Sequence, residues 1–227
     1  MYQTEFEGQH YELGTSGFLY RSNKLMYDHA TKSFWSTLKG EPVVGPLVGK
    51  GIKLKRHYVV TTTWGEWKHR HPDTTVLSLD TGYERDYGEG VAYKDYFATN
   101  NLMFIVPKTD HRLQNKDEVV ALRDGDDQLA VSTEFLDENP VYHDRIGDLN
   151  FVILTDRSGA NRVYESKGEK FVSWDQEKTV SCEDGQTWTV SENSITDTNG
   201  KTLNRIPAHR AFWFGWHAQY PETRLVK

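Results

Sequence analysis

The chain has 227 residues, and its 27 Lys and Arg against 33 Asp and Glu give a net charge of −6, which argues against gripping nucleic acid or anionic lipid as its main work. No run of about 20 apolar residues occurs, and Met1 to Glu7 lacks the basic-then-apolar pattern of an export signal. The expectation is a soluble protein, cytoplasmic by default, with no membrane and no nucleic-acid partner. A single cysteine, Cys182, excludes an internal disulfide and a Cys-rich zinc site.

From Phe6 to Trp35, apolar and polar residues alternate (Tyr11 and Leu13, Phe18 and Tyr20, Leu25 and Tyr27) between Gly8, Gly14 and Gly17, the pattern of a strand meander. Gly40, Pro42, Gly45, Pro46, Gly49 and Gly51 then predict loops around one short strand at Val43 and Val44. Beyond the basic, β-branched stretch Ile52 to Thr62, Thr63 and Glu66 stand at capping-box spacing. They predict a helix over 64–70, which Pro72 ends by pushing its predecessor out of the α region. Strands are expected at 76–79, 102–106, 116–122, 128–131 and 151–154, the third and fourth flanking the turn Asp124-Gly125-Asp126-Asp127. Residues 83–96 carry no clear pattern.

A repeat runs through the chain. Trp64-x-x-Trp67 with Pro72-Asp73-Thr74 returns as Trp213-x-x-Trp216 with Pro221-Glu222-Thr223 at identical spacing. Upstream, Arg56 aligns with Arg205 and Leu54 with Leu203 without a gap; short shifts then pair Gly49-Lys50 with Gly200-Lys201 and Trp35 with Trp188. Ordered matches over about 40 positions predict two copies of one strand-loop-strand-helix-strand unit. The four helix tryptophans read as core anchors, with an exposed aromatic platform for a sugar or base as the alternative. The expected fold is α+β and β-rich, with mostly antiparallel sheets and few short helices. It forms one globular domain over 1–227, built from halves of about 1–109 and 110–227.

The segment Ser16 to Asp28, continued by Thr31-x-Ser33-x-Trp35 and by Glu41 to Gly45-Pro46-Leu47-x-Gly49, resembles the bacterial and archaeal family of domain of unknown function 3179. Further matching motifs are Trp67-Lys68-x-x-His71-Pro72-Asp73, Asp80-Thr81-Gly82-Tyr83-x-Arg85-Asp86-Tyr87, Arg112-Leu113-x-x-Lys116 and the closing Phe212-Trp213-Phe214-Gly215-Trp216 with Tyr220-Pro221-x-Thr223. The resemblance implies a β-rich, internally repeated domain and brings no established activity. Longer members carry a Cys-Pro-Leu-Cys motif and a His-Glu pair that this chain lacks, so no metal or redox role transfers from them. The chain also departs from the family at His29 and at Glu183 to Trp188, where the second Thr-x-Ser-x-Trp motif is reduced.

Nine histidines raise the question of a metal. His69 and His71 sit two apart across a helix end, which is no ligand pair; Asp28-His29 and His143-Asp144 are the best His and carboxylate neighbours. Asp80 to Tyr87 gathers two Asp, one Arg and two Tyr after an expected strand, where functional loops often lie. There Arg85 and Tyr87, with Arg112 and Lys116, are candidates to hold an anionic ligand, and Asp80 or Asp86 to serve as a base. The alternative is that Arg85 and Asp86 tie the loop down and that Arg112 and Lys116 form a solvated surface. Gly45 to Lys50 lacks the spacing of a phosphate loop, there is no Gly-x-Ser-x-Gly, and Cys182 in its acidic setting reads as inert.

Two functions follow. The first is a non-catalytic domain that binds a small molecule or a protein partner. The second is a metal-assisted enzyme with a divalent cation and a site between the halves, built from Asp28, His71, Asp80, Arg85 and Asp86. A carbohydrate-binding module would require tryptophan and tyrosine faces exposed in a line.

Overall fold

The computed structural model describes residues 1–88 and 90–227. The N-terminal alternation folds as strands β1 (Glu5–Phe6), β2 (Gln9–His10), β3 (Leu13–Tyr20), β4 (Asn23–Asp28), β5 (Phe34–Ser36) and β6 (Glu41–Val44). The last four form an antiparallel sheet in chain order. Trp35 on β5 is fully buried with Tyr11, Leu47, Ile52 and Leu54, so this meander has its own small core.

Helix α1 spans Trp64–Arg70, as the capping signal predicts, and Thr63 Oγ1 accepts the Glu66 N–H at 3.3 Å. Glu66 does not return the bond to Thr63. Its carboxylate is drawn instead to Thr62, Arg70 and Arg162. The short helix α2 (Lys94–Phe97) is the one regular element among the described residues of the following stretch. The strands expected at 76–79 and 102–106 do not form, and Leu77 and Ile105 are 94% and 93% exposed. Their apolar pattern suits a strand, but a strand forms only against an edge, and among the described residues none of the strands pairs with them.

The second half is denser. It comprises β7 (Glu118–Asp124), β8 (Asp127–Ser132), α3 (Thr133–Glu138), β9 (Val141–Ile146), β10 (Leu149–Thr155), β11 (Asn161–Glu165), β12 (Phe171–Trp174), β13 (Thr179–Cys182), β14 (Thr187–Val190), β15 (Ser194–Thr196), β16 (Thr202–Asn204), β17 (His209–Phe212), α4 (Trp213–Gln219) and β18 (Arg224–Val226). Gly125, at φ +52°, supplies the left-handed residue of the β7–β8 turn. Three sheets stack, with orders β17-β7-β8-β18, β11-β10-β9 and β12-β13-β14-β15-β16. All the pairings are antiparallel except β18 on β8. Alternation explains the stacking: Val120 and Leu122 of β7 meet Phe151 and Ile153 of β10, while Val152 and Leu154 face the five-stranded sheet. On the outer face of β7–β8, Val119, Ala121 and Ala130 pack against Trp213, Trp216 and Tyr220 of the α4 region and against Leu38 from the first half.

The repeat is visible in local geometry. Both α1 and α4 have seven residues and end on a residue of nearly the same conformation, His71 (φ −129°, ψ 69°) and Tyr220 (φ −131°, ψ 76°). Trp67 Nε1 donates to Thr74 Oγ1 at 3.0 Å, and Trp216 Nε1 donates to Thr223 Oγ1 at 2.9 Å. Burial is where the copies part. Trp213 and Trp216 are core anchors at 0% exposure, but Trp64 is 48% exposed and no residue of α1 is buried, which corrects the expectation for the first pair. The strand expected after α1 is likewise present only after α4.

Two stability predictions follow. Trp216→Ala, opening a cavity in the core, is expected to cost about 3–5 kcal/mol in urea unfolding, against about 1 kcal/mol for Trp67→Ala on the half-covered helix; equal costs would contradict this packing. His209 on β17 is half-buried edge-on to Trp216, with Nε2 out of solvent and unpartnered. Burial, with the Arg123 and Arg56 charges nearby, pushes its pKa down to about 4. The folded state therefore holds it neutral, and this stability is whole above an unfolded pKa of about 6.5 and falls as the pH drops toward 4, by about 3 kcal/mol in all. Urea melts between pH 7.5 and 5 should show the decline, and His209→Phe should flatten it.

Candidate functional site

Each half places an arginine against a tyrosine in an isolated antiparallel bridge, Tyr2 with Arg56 and Tyr164 with Arg205. The two tyrosine hydroxyls donate to equivalent carbonyls: Tyr2 to Leu38 at 2.8 Å and Tyr164 to Ser191 at 2.7 Å, each carbonyl lying three residues beyond the aligned Trp35 or Trp188. The next residue differs in charge. It is Lys39 in the first half and Glu192 in the second.

That difference decides how the arginines are neutralised. Glu192 accepts from Arg205 at 3.1 Å and from Arg162 at 2.9 Å, while Arg162 also pairs with Asp156 at 2.6 Å and Glu66 at 3.2 Å. Burial alone would raise the pKa of Asp156 and Glu192, but Arg162 and neighbouring donors hold both below the usual carboxylate range. This cluster is closed: with Arg70, which reaches Glu66 and Asp156, three guanidiniums share three carboxylates.

In the first half the cluster is open. Arg56 Nη2 donates to the Arg123 carbonyl at 2.9 Å, and Arg123 donates to the hydroxyls of Tyr220 at 2.7 Å and Tyr2 at 3.2 Å. Burial raises the pKa of both tyrosines, that of Tyr220 to about 12, so they stay neutral and cancel no charge. Neither guanidinium has a carboxylate within ion-pair distance among the described residues, and burial together with the Arg123 charge lowers the pKa of Arg56. Gly40, at φ +72°, lets the Tyr2 ring lie where any side chain would collide with it.

Arg56 and Arg123 line a cavity of about 520 Å³ between the N-terminal meander and the second half. Arg21 and Lys53 add positive charge, Lys39 Nζ is paired with Glu41 at 2.6 Å, and Asp126 and Glu222 add negative charge. Gln219 lies at the wall, 2% exposed, with both side-chain amide atoms unpartnered, and its backbone carbonyl accepts from Arg21 at 3.3 Å. Paired guanidiniums and a free amide are the groups that bind a carboxylate or phosphate.

The residues singled out from sequence lie elsewhere. Asp28 is buried inside its own turn, accepting from Thr31, Ser33 and Trp35; burial works against its ionisation, but these donors hold its pKa low. His29 stacks on Tyr27 at the surface, and His71 on Trp67 at the end of α1. Asp80 is exposed, Arg85 lies over its neighbour Tyr83, Asp86 accepts from the Gly88 N–H, and the Tyr87 hydroxyl meets Thr81. Arg112 pairs with Asp110 and covers Trp213, and Lys116 binds the carbonyls of Tyr96 and Thr99. His143 and Asp144, adjacent on β9, point to opposite faces: His143 Nε2 accepts the Phe171 N–H, while Asp144 binds Tyr142 and Arg224. Among the described residues no hydrogen bond, ion pair or ring contact joins any two of Asp28, His71, Asp80, Arg85 and Asp86, and no three His, Cys, Asp or Glu side chains converge to hold a metal ion. The Cys182 thiol is buried, its pKa raised by burial and by Glu169 and Asp184.

The cavity residues Arg56, Arg123, Lys39 and Gln219 were not singled out as a site. One signal pointed to them: aligning Trp35 with Trp188 sets Lys39 opposite Glu192, beside the already aligned arginines. Among the described residues no helix is long and apolar enough to cross a membrane.

Comparison with curated proteins and with solved structures finds no match. The family model described as "Protein of unknown function (DUF3179)" matches residues 1–223, nearly the whole length, and the chain, with its strand-rich architecture and repeated tryptophan helix, belongs to that family.

Proposed function

We propose that the protein is a non-catalytic ligand-binding domain whose cavity between the two halves takes a small organic anion bearing a carboxylate or phosphate group. The observation that carries this reading is Lys39, standing where Glu192 neutralises the equivalent arginine in the second half. Leaving half-buried guanidiniums without a paired counter-charge has a cost, and an oxyanion bridging Arg56 and Arg123 would relieve it through charge-assisted bonds. Gln219 supplies a further donor and acceptor, and Leu54, Tyr220 and Pro221 give apolar wall for the remainder of the ligand. The metal-assisted enzyme reading draws no support from the scattered positions of its five residues. A sugar platform draws none from Trp213 and Trp216, which are fully buried.

Titration calorimetry at low salt with inorganic phosphate, citrate and a sugar phosphate tests the proposal. At least one is expected to bind and to raise the thermal midpoint. Lys39→Glu, which installs the second half's own neutralising charge, should weaken that binding by roughly 10- to 100-fold, the loss of one or two charge-assisted bonds. Binding indifferent to Lys39→Glu, or no binding by any of the three, would sink it.

A further inference from the structure

Beside the arginine pair of the cavity stands a histidine surrounded by cations. His209 of β17 lies directly opposite Ala121 of β7, and Arg123 is two residues further along β7. Opposed residues and residues two apart share one face of a sheet, so His209 and Arg123 are diagonal neighbours, roughly 7–8 Å apart at Cα. On that face α4 offers no charge: the Trp216 ring meets His209 edge-on, and the Tyr220 hydroxyl accepts from Arg123. A smaller cavity of about 90 Å³ is lined by His209 with Tyr2, His57 and Arg56, and Arg56 also lines the large cavity. The Met1 amino group adds its positive charge near the ring. A narrow gap that also reaches His209 is bordered by Arg205 and Arg210, each paired with a carboxylate of its own, Glu192 or Glu118. Among the described residues no carboxylate lines either space, and the ring's Nε2 is out of solvent and unpartnered.

This placement ties the ring to the occupancy of the large cavity. In the free protein an imidazolium would sit among cations, and burial together with those charges keeps His209 neutral. An anion held by Arg56 and Arg123 brings a negative charge to the ring's neighbours. Resting on the anion site proposed above, we infer that this site is proton-linked: His209 takes up a proton as the anion binds, and the site holds its ligand more tightly as the pH falls. A bound charge that favours the imidazolium raises the ring's pKa in the complex, and by reciprocity protonation favours binding by the same factor. The ligand does not undo the ring's burial, so the rise is partial. The coupling is accordingly small at pH 7.5 and grows toward pH 5.

Inorganic sulfate is the probe, because its charge stays fixed over this pH range where that of phosphate or citrate does not. Calorimetric titration at low salt is expected to show affinity for sulfate rising roughly 2- to 4-fold from pH 7.5 to pH 5. Comparing buffers of different ionisation heat at pH 5 should show net uptake of a fraction of a proton. By NMR of the isotope-labelled chain, the His209 ring should titrate at a higher pH with sulfate saturating than without it. His209→Gln is expected to abolish the rise in affinity, and His57→Gln, at the exposed neighbour on the smaller cavity, to keep it. Equal affinity at both pH values, a His209 titration that sulfate does not move, or a rise that survives His209→Gln or disappears with His57→Gln would each overturn the coupling and leave the anion site standing. Sulfate that binds at neither pH would overturn both.

Discussion

A buried guanidinium must be given a counter-charge or donate its protons elsewhere, and this requirement organises both halves of the molecule. Arg162 is 1% exposed and ties three separate segments together through Asp156 at the β10–β11 turn, Glu192 after β14 and Glu66 on α1. The diversion of Glu66 from its capping role follows from that demand, since a buried cation attracts a carboxylate more strongly than one exposed helix N–H does. Arg56 and Arg123, half-buried, face a weaker form of that demand, with no carboxylate at ion-pair distance among the described residues. The cavity they line has Lys39 at the position where the closed cluster has Glu192.

The tryptophan helices show how one local structure serves two environments. Their length, end conformation and Trp–Thr hydrogen bond are set by residues within ten positions and are reproduced in both copies. Burial depends on what arrives from far away. Trp213 and Trp216 meet the hairpin β7–β8 and Leu38, and become the centre of a core. Trp64 meets its own Lys68 over the ring and remains half in water.

Legibility from sequence followed the range of the interactions. The meander, the helix over 64–70 with its stop before Pro72, the hairpin around Gly125 and the buried strand at 151–154 were readable, because alternation, capping and turn chemistry act over a few residues. The strands expected at 76–79 and 102–106 were not realised, because β-branched residues state a preference that only a pairing edge can satisfy. Among the candidate site residues, Asp28 and His71 are absorbed by local turn and helix-end contacts, and those between Asp80 and Tyr87 bond mainly to near neighbours. Composition marked them as chemically capable without saying what they would meet.

By itself the sequence determined the strand-rich class, the repeated tryptophan motif and the family, since each rests on local pattern or on order along the chain. The tertiary structure alone decided the site. Arg123 lies 67 residues from Arg56, and Gln219 lies far from both. Whether a cation is neutralised depends on which side chains folding carries to within a few ångströms of it, and spacing along the chain does not contain that distance.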